Sequence, residues 1–187
     1  HRQVSVLSQE LIDRFAESHR RPIGPGEFAE NVTTQGLDLS AVAVRDRLGL
    51  GEAEVEITQI GKACHGDSCA IFRKVGACIM PTEGLFARVI RTGTVCPGDP
   101  VEHRPAPLRI LIITLSDRAA GGQYEDRSGP RAGEILQEHF APLRWHQQID
   151  TALLPDAADR LRAKLLEAKA AEYDLVFTLG GTGLGPR

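Results

Sequence analysis

The residues of this chain that could do chemistry fall into two groups. The first is Lys62-Ala63-Cys64-His65-Gly66-Asp67-Ser68-Cys69 with Cys78, which offers three sulfurs and one imidazole within fifteen residues. Lys62 and His65 flank Cys64, and positive charge beside a thiol lowers its pKa, as a nucleophilic or sulfur-carrying cysteine requires. The same residues could ligate zinc, but Cys-x4-Cys-x8-Cys with an adjacent histidine is not the spacing of a standard finger or ribbon. A third account makes them small buried hydrophobes, a common fate of free cysteine that suits Cys78 and Cys96 equally well.

The second group gathers around the last stretch, Asp174 to Arg187. Leu175 to Leu179 is a short, uncharged, β-prone run, as expected of a strand buried on both faces of a parallel sheet. It empties into Gly180-Gly181-Thr182-Gly183. Glycines at the carboxyl end of such a strand let backbone N–H groups approach an anion closely, and in open α/β sheets that end binds ligands. Thr114-Leu115-Ser116-Asp117 and Leu154-Pro155-Asp156 should reach the same edge. Ser116 and Thr182 hydroxyls and glycine N–H groups suit phosphate oxygens, while Asp117 or Asp156 could hold a hard cation directly or through water. Taken singly, Ser116 and Asp156 are explained as caps and the glycines as a turn. Three such segments on one edge point to a phosphate–magnesium site. The glycine cluster lacks the Lys-Ser/Thr ending of a P-loop and does not fit the dinucleotide fingerprint.

These residues need elements to hold them. In the first half, Val4 to Leu7 reads as a strand followed by a helix with Ser8 as N-cap and Leu11, Ile12 and Phe15 as its apolar stripe. Arg21 to Gly26 is a loop, and Glu27 to Thr33 is too short and polar to assign by periodicity. From Glu52 to Ile60 apolar and acidic residues alternate, which predicts a half-solvated strand. Leu85 to Arg91 is another strand, and Thr94 to Glu102 a third, interrupted by Pro97-Gly98-Asp99-Pro100. Short strands between Gly/Pro turns predict a small β-barrel or sandwich over residues 1–102.

His103-Arg104-Pro105-Ala106-Pro107 reads as a Pro-rich linker. Beyond it, Arg109 to Leu115 is a second continuous apolar run. A helix from about Pro130 to Phe140 follows, with Ser128 as N-cap and Ala132, Ile135, Leu136, His139 and Phe140 at helical spacing. Leu143, Trp145, Gln147 and Ile149 indicate an edge strand, and Asp156 caps a helix with Leu161, Leu165 and Ala168 as its buried stripe. The order β-α-β-α-β over 108–187 is the first half of a doubly wound α/β domain. The fold class expected is therefore α and β in two domains, a β-barrel followed by an incomplete three-layer α/β domain.

Composition sets bounds. The 187 residues carry 42% hydrophobic residues and a net charge of −3, which gives no basic excess for nucleic-acid binding and no apolar run of membrane-spanning length. No signal-peptide pattern opens the chain, and four cysteines without an export signal are expected to be reduced thiols or ligands. The expectation is a cytoplasmic protein read from the interior of a longer one.

Ile113-Thr114-Leu115-Ser116-Asp117-Arg118-Ala119, Gly122 to Pro130, Leu154-Pro155-Asp156 and Thr178 to Arg187 together resemble, in order and with natural spacing, the molybdopterin-binding Mog/MoaB family. The resemblance implies a commonly trimeric α/β fold whose active members adenylylate molybdopterin. The pterin's terminal phosphate attacks the α-phosphorus of Mg-ATP, releasing pyrophosphate and preparing the dithiolene for molybdate. It implies that Gly180, Gly181, Thr182 and Gly183 bind phosphate or pterin, with Ser116 and Asp117 beside them, and that Asp156 is catalytic. The family's second functional aspartate would follow Arg187, so little activity is expected from these residues alone.

Arg2-Gln3-Val4-Ser5, Gly26 to Thr33, Ile60 to His65, and Gly84 to Val89 through Gly98-Asp99-Pro100-Val101 resemble the MOSC domain, a β-barrel named for its place in molybdenum-cofactor sulfurases. This implies cofactor binding or sulfur transfer through one cysteine; Cys64 matches that position and Cys69 is the second choice. Pyridoxal phosphate belongs to a separate sulfurase domain and is not expected here. Two resemblances to one pathway point to a molybdenum-cofactor protein that uses molybdopterin and ATP, with molybdenum-insertion proteins or molybdoenzymes as possible partners. The alternative is a non-catalytic cofactor carrier with a structural cysteine or zinc cluster.

Overall fold

A computed structural model describes residues 2–64, 66–69, 72–73 and 76–181. Along β1 (Val4–Ser8), Val6 enters one apolar cluster and Leu7 another, because successive strand side chains take opposite faces. β5 (Leu85–Arg91) runs antiparallel to β1 and divides the same way: Leu85 and Ala87 join Val6, while Phe86 joins Leu7. With β2 (Val32–Thr34), β3 (Arg47–Leu50), β4 (Ala53–Ile60) and β6 (Val101–Arg104) they form a six-stranded sheet of order β2-β1-β5-β4-β3-β6. It is curled into a half-barrel. Leu48, Leu50, Val55 and Ile57 fill one face with Val6. On the other, α1 (Gln9–Ser18) lays Ile12 and Phe15 against Leu7, Phe28 and Phe86.

The alternation expected of β4 is present: Ala53, Val55 and Ile57 are buried, and the intervening residues are not. Ser8 ends β1 and caps α1, its Oγ accepting the Leu11 N–H at 3.2 Å, an interaction worth about 1 kcal/mol. The segment that periodicity could not assign is held by side chains. Asn31 Oδ1 accepts the Ser5 amide and hydroxyl, both at 2.9 Å, and the buried Glu30 carboxylate accepts the Gly26 and Phe28 amides.

The third strand differs from expectation. Residues 94–100 are irregular, and β6 runs from Val101 through His103 and Arg104, the start of the expected linker. The chain divides into units His1–Ala106 and Pro107–Arg187. The strand extends because Asp46, fully buried at the far end of the β3 ladder, holds it there. Its carboxylate accepts His103 Nε2 at 2.6 Å, the Ala106 amide at 2.9 Å and the Ala43 amide at 2.8 Å.

The second unit is a three-stranded parallel sheet of order β8-β7-β9, built from β7 (Leu108–Leu115), β8 (Gln147–Leu154) and β9 (Leu175–Gly180). The chain passes from β7 through α4 (Ser128–Phe140) to β8 on one side, then through α5 (Ala158–Ala170) to β9 on the other. Right-handed crossovers in opposite directions put the two helices on opposite faces, which makes three layers. Packing agrees: a Cβ at Gly133 of α4 would stand 3.8 Å from Ile112, while Leu111 and Ile113 pack with Ala168 and Leu161 of α5.

Local details of the second unit differ from expectation. β9 is an edge strand among the described residues, and Leu175, Val176 and Phe177 are 41%, 37% and 40% exposed. Among the described residues of the second unit, β7 has a neighbour on each side and is buried along most of its length. α4 turns Gly129 and Gly133 to the sheet and leaves Ile135 half-exposed, since glycines permit the closer approach. Ser128 is the first helical residue rather than the cap; Asp126 Oδ1 accepts the Ser128 and Gly129 amides at 2.9 and 3.2 Å. Asp156 does not cap α5, whose N-cap Ala157 offers no side-chain acceptor, and Leu165 faces solvent.

Removing the Asp46 carboxylate would leave buried donors unmet. Asp46→Ala is expected to destabilise the first unit by about 3 kcal/mol, read as a lower urea midpoint. An unchanged midpoint would refute the anchoring role.

Candidate functional site

The parallel register sets the site. Leu115 of β7 pairs with Leu154 of β8 and with Gly180 of β9, so the three strands end together. Each chain then leaves the sheet at the same level, through Ser116-Asp117, Pro155-Asp156 and Gly181. In an order that steps from β7 to one neighbour and then to the other, the crevice between β7 and β9 is the topological switch point, where open α/β sheets bind ligands.

The three loops touch one another. Asp117 Oδ1 accepts the Asp156 amide at 2.9 Å, across 39 positions of sequence. The Asp156 carboxylate lies beside the last turn, its Oδ1 3.6 Å from where a Cβ on Gly181 would stand. Ser116 Oγ caps the short helix α3 (Asp117–Ala120) by accepting the Ala119 amide at 3.3 Å. It also lies 2.9 Å from the Tyr124 hydroxyl. Gly180 has φ of +95°, and a Cβ there would stand 2.3 Å from the Leu115 carbonyl oxygen. Only glycine takes this turn without strain while staying in the ladder.

Ser116, Asp117, Asp156, Gly180 and Gly181 are thus brought together; Thr182 and Gly183 lie outside the described residues. Asp117 differs in kind from the expectation, because one of its oxygens is engaged in fixing the Asp156 backbone. Sequence reasoning missed Tyr124. Its signal was an exposed aromatic in an otherwise small and polar loop, 48% exposed in the fold.

Cys64 belongs to the other unit. Its loop is rooted by Gly61, at φ +66°, whose amide donates to the Gly84 carbonyl, and by the Lys62 amide, which donates to Pro81. Pro81 lies in α2 (Met80–Glu83). Cys64 is exposed, with Sγ 3.4 Å from the Gly66 amide, while Cys69 and Cys78 are half-buried. His65, the expected imidazole neighbour, is outside the described residues. Among the described residues, the three sulfurs do not gather within 4.8 Å of one another. Burial pushes the Cys78 thiol above its ordinary pKa, against the opposing pull of the Met80 backbone. A cleft of about 740 Å³ beside α1 is lined by Glu10, Arg14, Asp38 and Glu83, but by none of the expected site residues. Its Glu10 and Asp38 carboxylates already accept the Gly36 and Ser40 amides.

Two expectations follow. Gly180→Ala should cost about 1–3 kcal/mol of stability, seen as a lower thermal midpoint, and an unshifted midpoint would refute the strain. A raised folded pKa keeps Cys78 protonated at neutral pH, so iodoacetamide should label Cys64 several-fold faster than Cys78 at pH 7.5. Equal rates by peptide mass spectrometry would contradict this.

Comparison with known proteins follows the same division. The family model of the MOSC domain matches residues 1–102, and that described as a probable molybdopterin binding domain matches residues 111–187. The molybdopterin adenylyltransferase of Helicobacter pylori strain J99 is 39% identical over 79 residues, covering 41% of this chain and 42% of its own. That of Pyrococcus furiosus is 34% identical over 89 residues, covering 46% and 49%. The chain spans less than half the length of these relatives. The solved structure of YiiM from Geobacillus stearothermophilus aligns over 89% of this chain and 77% of its own, at 20% identity and a TM-score of 0.47. No helix among the described residues is long and apolar enough to cross a membrane. The chain belongs to the MOSC domain family, its MOSC domain being followed by a region that matches the probable molybdopterin binding domain.

Proposed function

We propose that this protein serves molybdenum cofactor biosynthesis, its second unit binding molybdopterin by the terminal phosphate. The observation that carries this reading is the convergence of Ser116, Asp156 and Gly181 just beyond the aligned ends of β7, β8 and β9. Hydroxyl and glycine backbone suit phosphate oxygens, and the absence of a Cβ at Gly181 leaves room for them next to Asp156. By the family resemblance, Thr182 and Gly183 also bind phosphate or pterin.

In the whole protein we assign this site an adenylyl transfer. A phosphate oxygen of molybdopterin attacks the α-phosphorus of ATP; a new P–O–P bond forms, the bond to the β-phosphate oxygen breaks, and pyrophosphate leaves. The chain's residues contribute positioning and charge control, which dominate such transfers. Asp117 holds the Asp156 amide, and so fixes the loop that carries the acidic group. Magnesium arriving with ATP would be held at the Asp156 carboxylate and would offset phosphate charge. The MOSC unit binds the cofactor through Cys64, or passes to it the outer sulfur of a Cys64 persulfide loaded by a separate persulfide donor, a role the thiol's exposure permits. Assembly as a homo-oligomer is part of the same family-based reading.

Isothermal titration with molybdopterin, alongside a pyrophosphate-release assay with Mg-ATP, tests the proposal on the full-length protein. Binding and release are both expected, and Asp156→Asn should slow release about 100-fold or more while binding changes little. Binding without release would leave a carrier, and absence of both would refute the reading.

A further inference from the structure

The proposed phosphate site gives Tyr124 no task of its own, yet the Tyr124 hydroxyl lies 2.9 Å from Ser116 Oγ. A serine hydroxyl has one proton and two acceptor positions. One acceptor position of Ser116 is taken by the Ala119 amide, which donates to it at 3.3 Å. The two hydroxyls together own two protons, and the bond between them consumes one. A phenol is the stronger donor of the two. When Tyr124 donates, both acceptor positions of Ser116 are filled, and the Ser116 proton must go to a third group. Tyr124 therefore leaves Ser116 able only to donate.

Stability does not explain the arrangement. Tyr124 is 48% exposed, and water competes for a hydrogen bond between accessible hydroxyls, so its net worth to folding is small. The ring is steadied by the Arg118 guanidinium, 5.4 Å from its centroid, which brings a positive charge to the same loop. Ser116 is the first residue beyond β7, one position past the Leu115–Gly180 pair. A donor-only hydroxyl at the crevice, on a loop that also carries the Arg118 cation, is suited to an anionic oxygen.

We propose that Tyr124 is a positioning residue for ligand phosphate, its phenol directing the Ser116 O–H toward a phosphate oxygen of the bound pterin or nucleotide. This rests on the phosphate-binding role given above to the second unit. The two hydroxyls then act as one device, so losing either loses the same donor.

The test is a double-substitution cycle read by isothermal titration of the full-length protein with molybdopterin and with its dephosphorylated form. Tyr124→Phe keeps the ring and the α3 cap, and it should weaken molybdopterin binding about tenfold, the loss of one hydrogen bond to a charged group. Ser116→Ala should do the same, and the double variant should lose about tenfold again in total, not a hundredfold. The dephosphorylated ligand should bind all four proteins alike. Additive losses, equal losses for both ligands, or no effect of Tyr124→Phe would overturn the coupling while leaving phosphate binding intact. Failure of the unsubstituted protein to bind molybdopterin would overturn the proposed function and this inference with it.

Discussion

The second unit depends on one constraint, the register of β7 against both neighbours. Parallel strands carry evenly spaced hydrogen bonds, and a slip of one residue exchanges every side chain between faces. With Leu115 opposite Leu154 and Gly180, the three strands end at one level and their loops emerge together. A slip would send Thr114 and Ile112 to the α5 side and bring Leu111 and Ile113 under α4, where Gly129 and Gly133 leave space for only a close, fixed neighbour. The apolar layers therefore hold the register, and the register holds the site.

Within that frame the polar residues carry unequal tasks. Asp126 caps α4, Asp117 fixes the Asp156 backbone, and Asp156 lies against the glycine turn. Each carboxylate that accepts a backbone amide is satisfied locally. Thr114 Oγ1, by contrast, is buried at the carboxyl end of β7 with no hydrogen-bond partner among the described residues. It lies 2.8 Å from the position a Gly129 Cβ would occupy, so α4 approaches β7 as closely as packing allows.

The first unit solves a different problem. A curled sheet whose two faces both bury apolar residues needs loops that are ordered without being regular. The Glu30 and Asn31 side chains provide this by accepting backbone amides from Gly26, Phe28 and Ser5, and Ala29, just before them, reaches φ +59°. That is why the segment resisted assignment: its order comes from side chain to backbone bonds, which have no period. Asp46 plays the same part where β6 ends, turning residues that read as linker into ladder.

The sequence by itself determined the local elements: the alternation of β4, the continuous apolar run of β7, the Ser8 junction between strand and helix, and the two motif sets that mark the MOSC and molybdopterin-binding regions. These are legible because period-two alternation, caps and glycine turns are written in neighbouring residues. Only the tertiary structure decided that β7 pairs on both sides, with β8 and with β9, and is buried along most of its length. It also decided that α4 presents glycines rather than Ile135, that Asp117 serves Asp156, and that Tyr124 meets Ser116. Each of these rests on a contact between segments that the chain brings together only when its sheet closes around β7, and no local pattern encodes such a meeting.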